Sequence, residues 1–159
     1  MKTSNEKWVK NRVNKLPIHK MMGMRLLACS GGKSLVTCRV LKDLKNPGGT
    51  LHGGVIGVLV DMSTITALRS VLPITALLST VEYKVNFLER VFGGVITARG
   101  SVIRSGKTTA VCTTEIRNAA GDPVAFGSAT FYILNVRTAN DSPGITSAAT
   151  RRRATPRSE

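Results

Sequence analysis

The chain has 159 residues, 42% of them hydrophobic, which is enough for one packed domain with a core. Its formal net charge of +14 implies attraction to anions, while an aromatic content of 4% excludes the stacking platforms usual in single-strand nucleic-acid binders. The charge is uneven: residues 1–45 hold eleven Lys/Arg against two acids, residues 46–135 seven against five, and residues 136–159 five against two. The excess therefore sits on the ends, and its partner could be nucleic acid or an acidic cofactor such as coenzyme A. Three widely spaced cysteines, Cys29, Cys38 and Cys112, form no Cys-x-x-Cys pair and read as reduced, buried residues of an intracellular protein. Two histidines make a His-based metal site improbable, and no metal is expected.

Residues 1–16 are basic, with Trp8, Val9, Val13 and Leu16 at helical spacing, so a short amphipathic N-terminal helix is expected. The segment lacks the apolar run of a secretory signal. A cytoplasmic location is expected, or a mitochondrial one if this segment is a presequence. Leu16-Pro17-Ile18-His19 opens the main domain, expected over residues 17–135, and His19 reads as structural. Gly23–Ser30 and Ser34–Leu41 read as a hairpin across Gly31-Gly32.

The Gly-rich turn Asn46-Pro47-Gly48-Gly49 then leads into one long segment, Thr50 to Leu72, stopped by Pro73. It reads as a helix of about five turns, apolar nearly all round and therefore buried. Its glycines and β-branched residues are poor helix formers, so packing must hold it. Asp61 is the only acid between Asp43 and Glu82. An ionised carboxylate there costs several kcal/mol unless partners offset it, so it is either a satisfied structural Asp or a functional one. Gly53 and Gly54 expose backbone N–H groups at the helix start, a ready site for a developing oxyanion. Asp61 lies nine residues beyond His52, roughly 13 Å along the axis, so one chain cannot apply both to one carbonyl. Two antiparallel copies of the helix about a two-fold axis could do so.

Past Pro73, strands are expected over Leu78–Leu88, Gly93–Arg104, Lys107–Arg117 and Val124–Leu134. In the first, Val81, Tyr83, Val85 and Phe87 alternate against Thr80, Glu82, Lys84 and Asn86, with Ser79 facing away from Thr80. Two strands, a buried helix and an antiparallel meander predict an α+β fold in which a curled sheet surrounds the helix. Residues 136–159, with Arg151-Arg152-Arg153, read as a disordered tail.

Gly49-Thr50-Leu51-His52-Gly53-Gly54 followed by Asp61 resembles the signature of the hotdog-fold acyl-CoA thioesterases, and among them the phenylacetate-pathway and thioesterase-superfamily-member branch. The resemblance spans about Pro17 to Leu134. It implies a homodimer or homotetramer that hydrolyses an acyl- or aryl-acyl-CoA, with coenzyme A entering only as part of the substrate and no separate cofactor. By that resemblance Asp61 is the base for a water, or less readily a nucleophile forming an anhydride. Asn46 and the Gly53 N–H hold the thioester carbonyl, His52 braces the loop and orients the substrate, and Thr80 holds the water. Gly54, Glu82 and Phe87 line the coenzyme A groove, with Arg90 and Tyr132 weaker candidates, and the turn Arg104-Ser105-Gly106-Lys107-Thr108 takes the nucleotide end. The rival readings are a hotdog 3-hydroxyacyl dehydratase, which would use His52 beside Asp61, and a non-catalytic acyl-CoA binding module.

Overall fold

A computed structural model describes residues 4–134 of the chain; the Arg-rich segment 136–159 lies outside the described residues. Two short helices, α1 (Ser4–Val13) and α2 (Pro17–Met21), lead into β1 (Met24–Ser30) and β2 (Lys33–Arg39). A long helix α3 (Gly53–Arg69) follows, then β3 (Leu77–Phe87), β4 (Val95–Ser105), β5 (Thr109–Arg117) and β6 (Pro123–Leu134). The six strands form one antiparallel sheet in the order β1-β2-β4-β5-β6-β3, curled against α3. This is the expected α+β hotdog layout. No helix among the described residues is long and apolar enough to cross a membrane.

The β1–β2 hairpin turns on Gly31 (φ 53°) and Gly32 (φ 78°), both in the left-handed region that a two-residue turn requires. Alternation on the strands then sorts the side chains. Leu26, Val36, Ile96, Ile116 and Phe131 face inward and are fully buried against Leu59, Val60 and Leu68 of α3. The helix lies so close to the sheet that a Cβ at Gly100 would meet the Ser63 carbonyl oxygen at 2.3 Å, and one at Gly127 would meet Val60 at 2.6 Å. Polar groups trapped by this approach are paired: Ser34 Oγ donates to the Ser63 carbonyl (2.6 Å), and Ser63 Oγ lies 2.9 Å from Thr114 Oγ1.

Three expectations need correction. The helix ends at Arg69, three residues before Leu72, and tightens out through Ser70 and Val71, whose N–H groups donate to Ala67 and Leu68. It is also not buried all round. Gly54, Val58, Asp61, Met62, Ile65 and Arg69 form an outward stripe, because the sheet covers the other sides only. Finally, β3 carries a bulge: Thr80 pairs with Phe131 but Glu82 with Thr130, so Val81 is extra. The bulge shifts the alternation, and Thr80 joins Tyr83, Val85 and Phe87 on the helix side instead of opposing them.

The two sheet edges differ. The free edge of β1 is occupied by Asn14, whose amide donates to the Leu26 carbonyl (3.0 Å) and accepts from the Leu26 N–H (2.8 Å). The edge of β3 has no such partner among the described residues and exposes Val81 (63%) and Phe87 (58%).

Because Gly100 abuts backbone rather than a flexible side chain, Gly100→Ala is expected to lower stability by about 1–3 kcal/mol. Gly93→Ala, with open space around it, should change little. Urea unfolding of the two variants checks the contrast.

Candidate active site

The N-terminus of α3 is fixed by the loop before it. Asn46 closes that loop on itself: its N–H donates to the Thr50 carbonyl (2.8 Å), its Oδ1 accepts from the Thr50 N–H (3.2 Å), and its Nδ2 lies 2.9 Å from Thr50 Oγ1. The turn-residue role open to Asn46 is therefore realised, with one of the two amide N–H donors left for another acceptor. Leu51 and His52 then anchor the strand entering the helix through the carbonyls of Val91 (2.8 Å) and Leu44 (2.9 Å).

His52 is the N-cap. Its Nδ1 accepts from the Gly54 N–H at 3.0 Å, and its carbonyl accepts from Val55 at 2.9 Å. An accepting Nδ1 puts the proton of the neutral ring on Nε2. The cap also corrects the expectation of two bare glycine donors: the Gly54 N–H is used by His52, and the Gly53 N–H alone has no acceptor among the described residues. Gly53 lies against Phe87, whose Cζ would be 3.3 Å from a Cβ there. Gly57 lies against Tyr83 in the same way: the hydroxyl would be 3.2 Å from a Cβ there. Small residues on this face of α3 thus let the β3 aromatics pack close against the helix backbone. Sequence reasoning did not single out Tyr83; the Gly53 and Gly57 spacing of one turn was the only signal for it.

Two turns further along, Asp61 sits half-buried on the outward stripe, and Thr80 Oγ1 donates to its Oδ1 at 2.8 Å. The β3 bulge makes this contact possible, since it turns Thr80 inward. Burial pushes the Asp61 carboxyl above the usual carboxylate range, and the Thr80 hydrogen bond pulls it partly back. No ion pair involving Asp61 is present among the described residues. Gly53 and Asp61 are eight residues apart on one straight helix, about 12 Å.

The structure places the other candidates in two groups. Arg104, Ser105, Gly106, Lys107 and Thr108 form an exposed β4–β5 hairpin tip, closed by the Gly106 N–H on the Thr109 carbonyl (2.8 Å). It lies at the sheet end where β3 begins, because Thr109 is in register with Tyr132 and Tyr132 with Ser79, one residue from Thr80. Glu82 does not share a face with Phe87. It points outward, accepting from Thr130 Oγ1 at 3.1 Å. Tyr132 is on that outer face too, and Arg90 is in an exposed loop, its N–H donating to Glu89. His19 is buried with Nε2 3.0 Å from Met62 Sδ, a packing role. No group of three or more His, Cys, Asp or Glu among the described residues could hold a metal ion. A groove of about 640 Å³ between α1 and β1 is lined by residues that include Lys7, Lys10 and Cys29 and does not include Asp61.

Residues 48–125 match the family model of the thioesterase superfamily. A provisional esterase of Saccharolobus solfataricus is 30% identical over 76% of this chain and 85% of its own length. A 1,4-dihydroxy-2-naphthoyl-CoA hydrolase of Listeria monocytogenes is 30% identical over 59% of this chain and 76% of its own. Among solved structures, the Escherichia coli PaaI protein of the phenylacetic acid degradation operon superposes with a TM-score of 0.73 over 81% of this chain and 94% of its own. At 23% identity that likeness is one of fold.

The raised carboxyl has a consequence for stability. A folded-state pKa above the unfolded one means the native chain holds the proton more tightly, so Asp61 lowers stability once pH rises through that range. Asp61→Asn is therefore expected to melt at the same temperature as the parent or higher at pH 7. That difference should shrink as pH falls and Asp61 takes up its proton, which paired melting curves measure.

Proposed function

The chain belongs to the thioesterase superfamily and is a thioester hydrolase, and on that premise we propose that its substrate is an acyl- or aryl-acyl-CoA, hydrolysed to the free acid and coenzyme A at the interface of a homodimer. One observation carries the reading: a solitary carboxylate, held by Thr80 on the uncovered stripe of α3, shares its helix with an unspent Gly53 N–H about 12 Å away. The two can serve one carbonyl only from different copies. The unpaired edge of β3, with Val81 and Phe87 exposed beside α3, is the surface that supports such pairing. Coenzyme A enters as part of the substrate, and no further cofactor is invoked.

In this mechanism Asp61, in its ionised form, takes a proton from a water held with the help of Thr80. The water oxygen bonds to the thioester carbon, and the carbonyl π pair moves onto oxygen. That oxyanion is met by the Gly53 N–H of the other copy, at the positive end of its helix, and by the remaining Asn46 amide donor. Collapse of the intermediate breaks the C–S bond, and the Asp61 proton passes to the departing thiolate. A carboxyl above its usual range suits both halves of the cycle, since it is a better base than a solvated Asp and still gives the proton back. His52 acts by capping the helix, which orients Gly53. The exposed cations of the Arg104–Thr108 tip, two strands from Thr80 at the sheet end where β3 begins, suit the phosphates of coenzyme A.

Asp61→Asn is expected to lower kcat by about 10²–10⁴ in a thiol-release assay over an acyl-CoA panel. Unchanged turnover would remove Asp61 from the chemistry. Thr80→Val should move the acid limb of the kcat/KM profile to higher pH, because it deletes the hydrogen bond that holds the Asp61 carboxyl down.

A further inference from the structure

Beyond Asp61, Met62, Ile65 and Arg69 continue the outward stripe of α3, and α1, packed on β1, flanks them to form a half-open cavity of about 230 Å³. Its walls are apolar along the middle, from Trp8, Val13 and Leu16 on one side and Ile65 on the other. Asp61 opens into it, and Arg69 stands two turns along the same helix face, about 12 Å away. Arg12 lines the same cavity, its guanidinium stacked over the Trp8 ring at 5.4 Å from the centroid. Arg69 is anchored at the wall by a bond from Nη1 to the Ala76 carbonyl.

A cavity that begins at the reactive carboxylate, runs between apolar walls and meets two guanidiniums has the layout of an acyl-chain site with a charged terminus. Benzene fills an apolar cavity of about 150 Å³, so this volume suits one ring or a chain of roughly six to nine carbons. The two guanidiniums repel each other. Burial, and then Arg12, both make the Arg69 proton easier to lose than usual. An anionic group arriving with the ligand would offset that repulsion, and a planar guanidinium fork matches a carboxylate.

We propose that this cavity receives the acyl part of the substrate and that Arg12 and Arg69 select acyl groups ending in a carboxylate. This rests on the reading of Asp61 as the base of a thioester hydrolase. Arg12 and Arg69 are then specificity residues that bind the far end of the substrate and do not touch the reacting carbon. Trp8 and Leu16 set the length that fits between.

The test compares octanoyl-CoA with the mono-CoA ester of octanedioic acid on the purified full chain, by thiol release. The parent is expected to favour the diacid ester in kcat/KM by about tenfold or more, the usual advantage of a charge-assisted hydrogen bond. Arg12→Met should reduce that ratio by about tenfold, and Arg12→Lys, which keeps the charge but loses the planar fork, should fall between the parent and Arg12→Met. The ratio is internal to each variant, so partial loss of folded protein does not alter it. Equal or weaker use of the diacid ester by the parent, or a ratio untouched in Arg12→Met, overturns the inference and leaves the thioesterase reading standing. No thiol release from either ester, nor from a broad acyl-CoA panel, removes both.

Discussion

A carboxylate can be kept on an apolar helix only where something other than protein covers it, or where a donor holds it. The position of Asp61 on α3 meets both conditions. The sheet presses on the helix closely enough to exclude a Cβ at Gly100 and Gly127, and the buried hydroxyls Ser63, Thr64 and Thr66 are all satisfied by nearby carbonyls or by Thr114. Any polar group without such a partner must lie on the remaining stripe. Asp61 does, and the Thr80 hydroxyl reaches it there because β3 bulges at Val81. One irregularity in one strand therefore fixes the orientation of the carboxylate, and its half-buried setting gives it a raised proton affinity.

The start of the same helix shows a division of labour between neighbouring glycines. A helix opening on two glycines is intrinsically weak, by about 1 kcal/mol for each relative to Ala. The Asn46–Thr50 hydrogen bonds, the anchoring of Leu51 and His52, and the His52 cap on Gly54 compensate locally. What remains is a single N–H at Gly53 with no acceptor among the described residues. A Cβ there or at Gly57 would come within 3.3 Å of Phe87 or 3.2 Å of Tyr83, so a side chain at either position would move these aromatics slightly aside.

Much of this was legible in the sequence. The strands follow from period-two alternation and glycine turns, and the helix from its apolar run between Asn46-Pro47 and Pro73. Asp61 stands out because it is the only acid between Asp43 and Glu82. What was not legible has one common cause: it depends on pairing between distant segments. The bulge at Val81 arises from register with β6, and it reverses which residues share a face with Thr80, which is why Glu82 turns outward. The stripe left bare on α3 depends on where the sheet stops. The spent state of the Gly54 N–H depends on the His52 rotamer. The cavity holding Arg12 and Arg69 depends on α1 packing on β1 beside α3, although α1 itself shows as a helical spacing of Trp8, Val9, Val13 and Leu16.

The account turns on the carboxylate and the amide donor coming from different copies, and subunit complementation tests that most directly. Gly53→Pro removes the donor while keeping a residue that helices accept at their first position. Asp61→Asn removes the base. Each variant alone should be nearly inactive. Co-expressed in equal amounts, half of the dimers are mixed, and each of these rebuilds one intact site from the unaltered halves, giving roughly a quarter of the parental activity. Recovery at about that level is the predicted result. Mixed dimers no more active than the separate variants would contradict it, because the two groups would then have to act from within one chain.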